Sequence, residues 1–166
     1  MTTKDYEIAL ATSVDIAGIL ELQDQNLSSR GGTLSVALSR EWFERTLTDM
    51  PVIVARSEGR VVGFLVSSSF VAFAQVPVVE AMLRVHSGSK GAYIYGPICV
   101  AHSERGCGLA ARLFAALRMQ LRGREGVLFI RRDNAASLRA HLRMGMQEVG
   151  EFTHCDVVHA VLAYQS

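Results

Sequence analysis

The sequence predicts one α/β domain of three layers, in which a mixed central β-sheet of six or seven strands is flanked by helices. Short β-branched runs alternate with segments of helical periodicity along the whole chain, a pattern typical of a sheet covered by helices. The 166 residues contain no repeat, low-complexity tract or linker, so we assign 1–166 to a single domain. Hydrophobic residues make up 49% of the chain and charged residues 20%, which is enough apolar material for a packed core.

The first elements are a strand and two helices. Glu7 to Leu10 is a predicted strand. Thr12 followed by Asp15 resembles a capping box, and apolar residues then recur at helical spacing. Ser39 is the predicted N-cap of a second helix, which Pro51 ends.

A hairpin and a short helix complete the first half of the chain. Val52–Arg56 and Val61–Ser67 are β-branched runs, and the four residues between them, with a central Gly59, are a turn signal. Pro77 followed by Val79–Val85 predicts a short helix.

The second half alternates strands and helices. Its clearest helix carries leucine at every fourth position, with Arg118 in the last turn and Gly123 just after the end. The predicted elements are strands at Tyr93–Val100 and Val127–Arg131, helices at Leu109–Leu121 and from Asp133 or Asn134 to Met144, and strands at Met146–Phe152 and Val157–Tyr164.

Composition excludes several classes of partner. The formal net charge is +1, so no global field attracts nucleic acid or an anionic membrane. Cys99, Cys107 and Cys155 lack the paired spacing of a disulfide framework, which favours a reducing compartment. With no basic–apolar leader and no apolar run of membrane length, we expect a cytoplasmic protein without a membrane or nucleic-acid partner.

A metal site is not expected either. His154, Cys155, Asp156 and His159 contain suitable ligand atoms, but alternate residues of a strand face opposite ways. These four side chains therefore converge poorly on one ion.

The glycine turn before the leucine helix is the strongest functional signal. Gly106 and Gly108 let the backbone approach a ligand closely, and the helix that follows points free N–H groups at the turn. We therefore expect a phosphate there. Nine of the fifteen arginines lie between Arg105 and Arg143. They are either solvated surface charges, or one or two of them contact the phosphate.

Two common phosphate-binding motifs fit this turn poorly. A P-loop needs lysine and then a hydroxyl residue after its last glycine, whereas Gly108 is followed by Leu109. A dinucleotide fold shares the G-x-G-x-x-A spacing of Gly106 to Ala111, but its first glycine would directly follow the strand. It also needs more βα units than the remaining chain can supply.

The segment Val100–Ala110 resembles the acyl-CoA-binding motif R/Q-x-x-G-x-G/A of the GCN5-related N-acetyltransferase (GNAT) superfamily. The resemblance continues in Asn134–Ser137 and in Leu142–Met146, which is similar to that family's Asn-containing helix and its closing Gly-Phe. It implies the acyl-CoA N-acyltransferase fold with acetyl-CoA as cosubstrate. It also implies direct acetyl transfer, in a ternary complex, to the primary amine of a small molecule or peptide.

The resemblance also implies roles for individual residues. Asn134 and Ser137 would face the cofactor. The backbone of Ile98, Cys99 and Val100 would pair with the pantetheine arm like an added strand. The amides that would hold the pyrophosphate belong to Arg105, Gly106, Cys107, Gly108, Leu109 and Ala110.

The catalytic residues are less clear than the cofactor site. His141 stands where the family often has a tyrosine acid, so we name it the candidate general acid. Tyr95 is a weaker catalytic candidate, and Tyr93, Tyr95 and Glu80 are possible bases. Because the tyrosine is missing, a non-catalytic acyl-CoA-binding sensor or regulatory module is the alternative.

Two further expectations concern partners. The segments Leu27–Leu38 and Phe70–His86 would shape the acceptor pocket. Val157–Tyr164 could offer an apolar sheet edge, which makes a homodimer possible.

Overall fold

The computed structural model describes residues 4–34 and 36–166. The predicted loop Leu27–Leu38 contains Ser35, which lies outside the described residues. The helices and strands follow the predicted order. They are β1 (Glu7–Leu10), α1 (Ile16–Gln25), α2 (Arg40–Asp49), β2 (Val52–Ser57), β3 (Arg60–Ser68), α3 (Pro77–Val85), β4 (Tyr93–Val100), α4 (Leu109–Gln120), β5 (Glu125–Arg131), α5 (Ala135–Arg143), β6 (Gln147–His154) and β7 (Val157–Gln165).

The strands of the described residues form a seven-stranded sheet in the order β1-β2-β3-β4-β5-β7-β6. β4 and β5 are parallel, whereas β1–β2, β2–β3, β5–β7 and β6–β7 are antiparallel, so the sheet is mixed as predicted. Internal packing divides the chain into two compact units. The first contains the described residues up to Ser67 and Gly96–Gln120, and the second contains Ser68–Tyr95 and Leu121–Ser166.

Helices cover both faces of the sheet in the first unit. Phe64 of β3 meets Phe43 of α2 with ring centroids 6.3 Å apart. A Cβ on the neighbouring Gly63 would lie 3.2 Å from a Leu113 methyl group of α4. Because successive strand residues point to opposite faces, α2 and α4 lie on opposite sides of β3. The first unit therefore has the three predicted layers.

Capping bonds set the starts of the first helices. The Thr12 N–H donates to Asp15 Oδ2 at 2.8 Å, and Ser39 Oγ accepts from the Trp42 N–H at 3.1 Å. Both caps confirm the prediction. Burial acts to raise the pKa of Asp15, but hydrogen bonds from Arg56 and Thr12 outweigh it and hold that pKa below its usual value.

β7 is the central strand of the second unit. It lies between β5 and β6 and pairs antiparallel with both. The prediction that Val157–Tyr164 offers an apolar sheet edge for a dimer is therefore wrong. β6 is the edge strand, and its exposed residues include Glu148 and Glu151, which discourage pairing with another chain.

The two faces of the sheet in the second unit have different character. Ile94 and Val127 form a buried cluster with Val161 of β7 and with Val79 and Met82 of α3. The tyrosines on either side of Ile94 point to the opposite face, where Tyr95 contacts His141 of α5. One face is therefore apolar under α3, and the other carries polar groups under α5.

Candidate active site

The turn between β4 and α4 is exposed from Arg105 to Gly108. Gly106 and Gly108 have φ angles of 77° and 80°, in the left-handed region that glycine adopts without strain. A Cβ on either residue would meet no atom within 4 Å, so the protein leaves the space beside both glycines open. A ligand can approach the turn's backbone directly.

The turn offers a ligand mainly its backbone N–H groups as hydrogen-bond donors. The N–H groups from Gly106 to Ala111 have no hydrogen-bond acceptor among the described residues. The next one along the chain, the Arg112 N–H, donates to Gly108 O at 3.2 Å. Half of these six amides belong to the turn, and the others belong to the first turn of α4, where no intrahelical acceptor exists. Together with the positive end of the helix dipole, this cluster of donors suits a phosphate or pyrophosphate.

The Arg105 side chain connects the turn to the end of α1 by a hydrogen bond. Its Nη2 donates to Asn26 Oδ1 at 2.6 Å, and its Nε donates to Val100 O at 3.4 Å. The Arg105 N–H also donates within the protein, to His102 O at 3.3 Å, so the free backbone donors of the turn begin at Gly106 and not at Arg105 as predicted.

A buried carboxylate fixes the other side of the turn. Glu104 is 6% exposed and accepts from Lys4 Nζ at 2.6 Å and from the Tyr6 hydroxyl at 2.5 Å. These bonds lower the pKa of Glu104 to about 2. The Cys107 thiol donates to the Glu104 carbonyl at 2.7 Å. The segment just before β1 and the turn are thus connected through one ionised side chain.

Replacing Glu104 with glutamine is expected to lower Tm near neutral pH and to reduce the loss of stability in acid. A depressed carboxyl pKa stabilises the fold above the ordinary value of 4.5, and this contribution is lost as the pH falls from 4.5 toward 2. The difference in Tm between wild type and Glu104→Gln should therefore shrink on acidification. Glu44→Gln, at an exposed position of α2, is the control. A Tm difference independent of pH would contradict the role of this carboxylate.

β5 has a free backbone edge in the second unit. β4 pairs with β5 only through Tyr93 with Gly126 and Ile94 with Val127, among the described residues. β5 continues to Arg131 with β7 as its partner. In the described part of the chain, Leu128–Arg131 thus leaves one side unpaired, and an extended ligand can add to such an edge.

Tyr95 and His141 form a buried hydrogen-bonded pair, and each is 4% exposed. The Tyr95 hydroxyl lies 3.1 Å from His141 Nε2, and His141 Nδ1 lies 2.7 Å from the Ser137 carbonyl oxygen. Because a carbonyl can only accept, Nδ1 carries the imidazole proton. Nε2 therefore has the lone pair, and Tyr95 is the donor of the pair.

Burial sets the charge of both groups. It lowers the pKa of His141 despite the opposing bond to Ser137, and it raises the pKa of Tyr95. At neutral pH the imidazole is uncharged and the phenol keeps its proton. The predicted role of His141 as general acid stays a prediction. The pair holds two protons: one on His141 Nδ1, which faces the Ser137 carbonyl, and one on the Tyr95 hydroxyl, which faces Nε2.

The other predicted site residues occupy three places. Asn134 caps α5, since its Oδ1 accepts from the Ser137 N–H at 3.3 Å. Tyr93 is fully buried, and its hydroxyl lies 2.5 Å from the Tyr164 hydroxyl and 2.9 Å from Ser166 Oγ. Glu80, the other predicted base, is exposed on α3. The predicted pantetheine contacts Ile98, Cys99 and Val100 lie on the last part of β4. The cofactor contacts of Asn134 and Ser137 stay predictions.

The sequence matches the model of the acetyltransferase (GNAT) family over residues 16–146. The chain belongs to the GNAT family. The glycine turn and the Tyr95–His141 pair both lie inside the matched range. A comparison with curated proteins gave no match.

Solved structures confirm the GNAT fold. A ribosomal-protein-alanine N-acetyltransferase from Brucella melitensis is 22% identical with a TM-score of 0.72, covering 96% of this chain and 99% of its own. The protein yncA from Salmonella typhimurium, solved with acetyl-CoA, is 19% identical with a TM-score of 0.73, covering 97% and 94%. A phosphinothricin acetyltransferase from Sinorhizobium meliloti, in complex with acetyl-CoA, is 18% identical with a TM-score of 0.69, covering 96% and 88%.

Two features of this GNAT chain were missed from the sequence. The Tyr95–His141 bond joins residues 46 positions apart, and the bond from Tyr6 to Glu104 joins residues 98 apart. No local pattern indicates either contact. One sequence signal concerns His141: it lies three residues after Leu138 on the helix, which predicts that its side chain faces inward.

Cys99 is a buried free thiol. Burial raises the pKa of the Cys99 thiol to about 12, so this residue stays protonated. In residues 4–34 and 36–166 no three His, Cys, Asp or Glu side chains are grouped to hold a metal ion. No helix in these ranges is long and apolar enough to cross a membrane.

Proposed function

We propose that the protein is an acetyl-CoA-dependent N-acetyltransferase that moves an acetyl group directly to a primary amine of a small molecule or peptide. The observation that carries this proposal is the run of unbonded amides from Gly106 to Ala111 in an exposed turn. Membership of the GNAT family supports it, as do structural neighbours that were solved with acetyl-CoA.

The residues present fit acetyl-CoA. Its pyrophosphate would accept from the turn amides, which need no side chain to move aside. Its pantetheine would pair with the backbone of Ile98, Cys99 and Val100, and β4 leads from there back to Tyr95. Asn134 and Ser137 would contribute further polar contacts. Acetyl-CoA supplies an activated acetyl group as a thioester.

Acetyl transfer requires two proton movements. The acceptor must lose a proton before its nitrogen can attack the thioester carbonyl, and the sulfur gains one as the C–S bond breaks and the C–N bond forms. We assign the second movement to the Tyr95–His141 pair. Tyr95 would turn its proton from His141 Nε2 to the sulfur as the C–S bond breaks, and the proton that the acceptor loses would restore the hydroxyl. His141 holds that hydroxyl in place through Nε2 before and after the transfer.

A panel of primary amines incubated with acetyl-CoA tests this function. Thiol release and the mass of the acetylated amine are measured together, so that hydrolysis of the thioester is separated from transfer. We expect acetylated product with at least one amine class. Binding of acetyl-CoA without product across alkyl, aryl, polyamine and peptide amines would contradict the proposal and favour a non-catalytic acyl-CoA sensor.

A further inference from the structure

A glycine of β5 lies between two tyrosines of the neighbouring strands. Gly126 pairs with Tyr93 of β4 on one side and with Tyr164 of β7 on the other. Side chains at paired positions of adjacent strands share one face of the sheet, so both rings lie on the side where Gly126 has no side chain. The two hydroxyl oxygens are 2.5 Å apart, and the ring centroids are 6.1 Å apart, edge to face. The two tyrosines therefore meet across β5 at the glycine.

The Tyr164 ring occupies the space that a side chain on Gly126 would need. A Cβ on Gly126 would lie within 3.0 Å of three Tyr164 atoms, Cζ, Cε1 and the hydroxyl oxygen, which is closer than Cβ atoms approach their neighbours in proteins. Glycine inside a strand costs stability, because it loses more backbone freedom than other residues and has no side chain to pack. The close approach of the Tyr164 ring explains why glycine stands at this position of β5.

The same ring contacts the proposed proton donor. Tyr95 follows Tyr93 by two residues on β4, and its ring meets the Tyr164 ring edge to face, with centroids 5.9 Å apart. The Tyr95 ring also meets the His141 ring edge to face, at 5.5 Å, and its hydroxyl lies 3.1 Å from Nε2. Tyr164 and His141 are therefore both aromatic neighbours of Tyr95, and a movement of Tyr164 changes the packing that aligns the Tyr95 hydroxyl.

This arrangement acts on position and not on the chemistry of the hydroxyl. Edge-to-face pairs have a preferred geometry, so a ring that is held in place also restricts the ring packed against it. Tyr164 is held from two sides, since it is 8% exposed and its hydroxyl bonds to that of Tyr93. A misplacement of about 1 Å at a reacting group can reduce a rate about 100-fold, so such restriction has a kinetic consequence.

We propose that Tyr164 is a positioning residue, which holds the Tyr95 ring where its hydroxyl meets His141. Gly126 serves the same purpose, because it leaves the space that the Tyr164 ring occupies. The ring of Tyr164 has this role and its hydroxyl does not, since the ring meets Tyr95 whereas the hydroxyl bonds to Tyr93. The kinetic consequence rests on the proposed function, in which Tyr95 is the proton donor.

Two variants that displace or remove the Tyr164 ring test this proposal. Gly126→Ala displaces the ring and Tyr164→Leu removes it, so each should lower kcat at least about tenfold and leave the Kd for acetyl-CoA within about twofold. The conservative variant Tyr164→Phe keeps the ring and should retain kcat within about threefold. The double variant Gly126→Ala/Tyr164→Leu should be no slower than Tyr164→Leu alone, because the added methyl group then meets no ring. Multiplying losses would contradict the shared mechanism.

Gly150→Ala separates positioning from the general strain of filling a strand glycine. Gly150 lies on β6 of the same unit, and a Cβ there would lie within 3.0 Å of Val85 Cγ1 on α3. This variant also has to move a neighbouring side chain, but that side chain belongs to the helix on the face opposite Tyr95. It should lower Tm as Gly126→Ala does and keep kcat within about twofold. Equal losses of kcat in the two alanine variants would overturn the proposal.

The NMR resonances of the His141 imidazole nitrogens give a readout that does not depend on activity. Nε2 accepts from the Tyr95 hydroxyl, and comparison with His141→Gln identifies its signal among those of the five histidines. We expect this resonance to shift in Gly126→Ala and Tyr164→Leu and to stay in place in Tyr164→Phe and Gly150→Ala. Resonances that stay in place in all four variants would overturn the proposal. A shifted resonance with unchanged kcat would support the positioning and would instead contradict the role of Tyr95 in the proposed function.

Discussion

Replacing Gly108 with valine is expected to weaken acetyl-CoA binding by at least about 100-fold, which corresponds to about 2.7 kcal/mol. Gly108 has a φ of 80°, and its missing side chain leaves the turn's amides accessible. A β-branched side chain would stand where the pyrophosphate has to approach those donors. It would also strain the backbone, because β-branched residues disfavour positive φ. Isothermal titration calorimetry with acetyl-CoA measures the loss.

Gly59→Val separates lost binding from backbone strain. Gly59 lies in the β2–β3 turn of the same unit, has a φ of 75° and, like Gly108, would place a Cβ in open space. Both variants should therefore lose similar stability, on the order of 1–3 kcal/mol. Only Gly108→Val should lose acetyl-CoA affinity. Equal affinities in the two variants would show that the turn does not hold the cofactor.

Replacing Tyr95 with phenylalanine is expected to lower kcat about 100-fold while the Kd for acetyl-CoA stays within about twofold. The substitution removes one hydroxyl, the proton donor of the Tyr95–His141 pair, and keeps the buried ring. Steady-state kinetics at saturating acceptor and binding titrations measure the two quantities. A kcat close to that of wild type would exclude Tyr95 as the proton donor.

Tyr93→Phe is the matched control for this variant. Tyr93 lies two residues earlier on the same strand and the same face, and its hydroxyl bonds to Tyr164 and Ser166. Its removal should reduce stability by about 1 kcal/mol and leave kcat within about twofold. A comparable loss of kcat in both variants would indicate a structural effect of altering any buried tyrosine there.

The pH profile gives an independent readout for His141. Only the neutral imidazole offers Nε2 to the Tyr95 hydroxyl, and burial holds the pKa of His141 below 6.5. Protonation of His141, which removes this lone pair, should therefore lower activity only below pH 6.5. This acidic limb should disappear in His141→Gln. An acidic limb that is centred above 6.5 and disappears in His141→Gln would contradict the assigned charge state.

Local signals in the sequence predicted most of the fold. The Thr12–Asp15 and Ser39 caps, the Asn134 cap and the leucine spacing of α4 each act within a few residues, so they are readable without tertiary contacts. The positive φ angles of Gly106 and Gly108 follow equally from the turn that separates β4 and α4.

Features that depend on distant residues could not be predicted. The apolar run of β7 is compatible with an edge or an inner strand, and its place between β5 and β6 depends on pairing across the sheet. The tautomer of His141 depends on which acceptor faces each ring nitrogen. Whether the Ser68 hydroxyl has a hydrogen-bond partner, which it lacks among the described residues, likewise depends on what surrounds it.

Thermal unfolding with and without excess acetyl-CoA, with NAD and ATP as controls, shows whether the glycine turn binds acetyl-CoA. A ligand that binds only the folded state at about 100 times its Kd stabilises by about 2.7 kcal/mol, which raises Tm by about 5–10 °C for a chain of this size. We expect that shift with acetyl-CoA and little change with NAD or ATP. No shift with acetyl-CoA, or an equal shift with NAD, would contradict the assignment of the Arg105–Ala110 turn as an acetyl-CoA site.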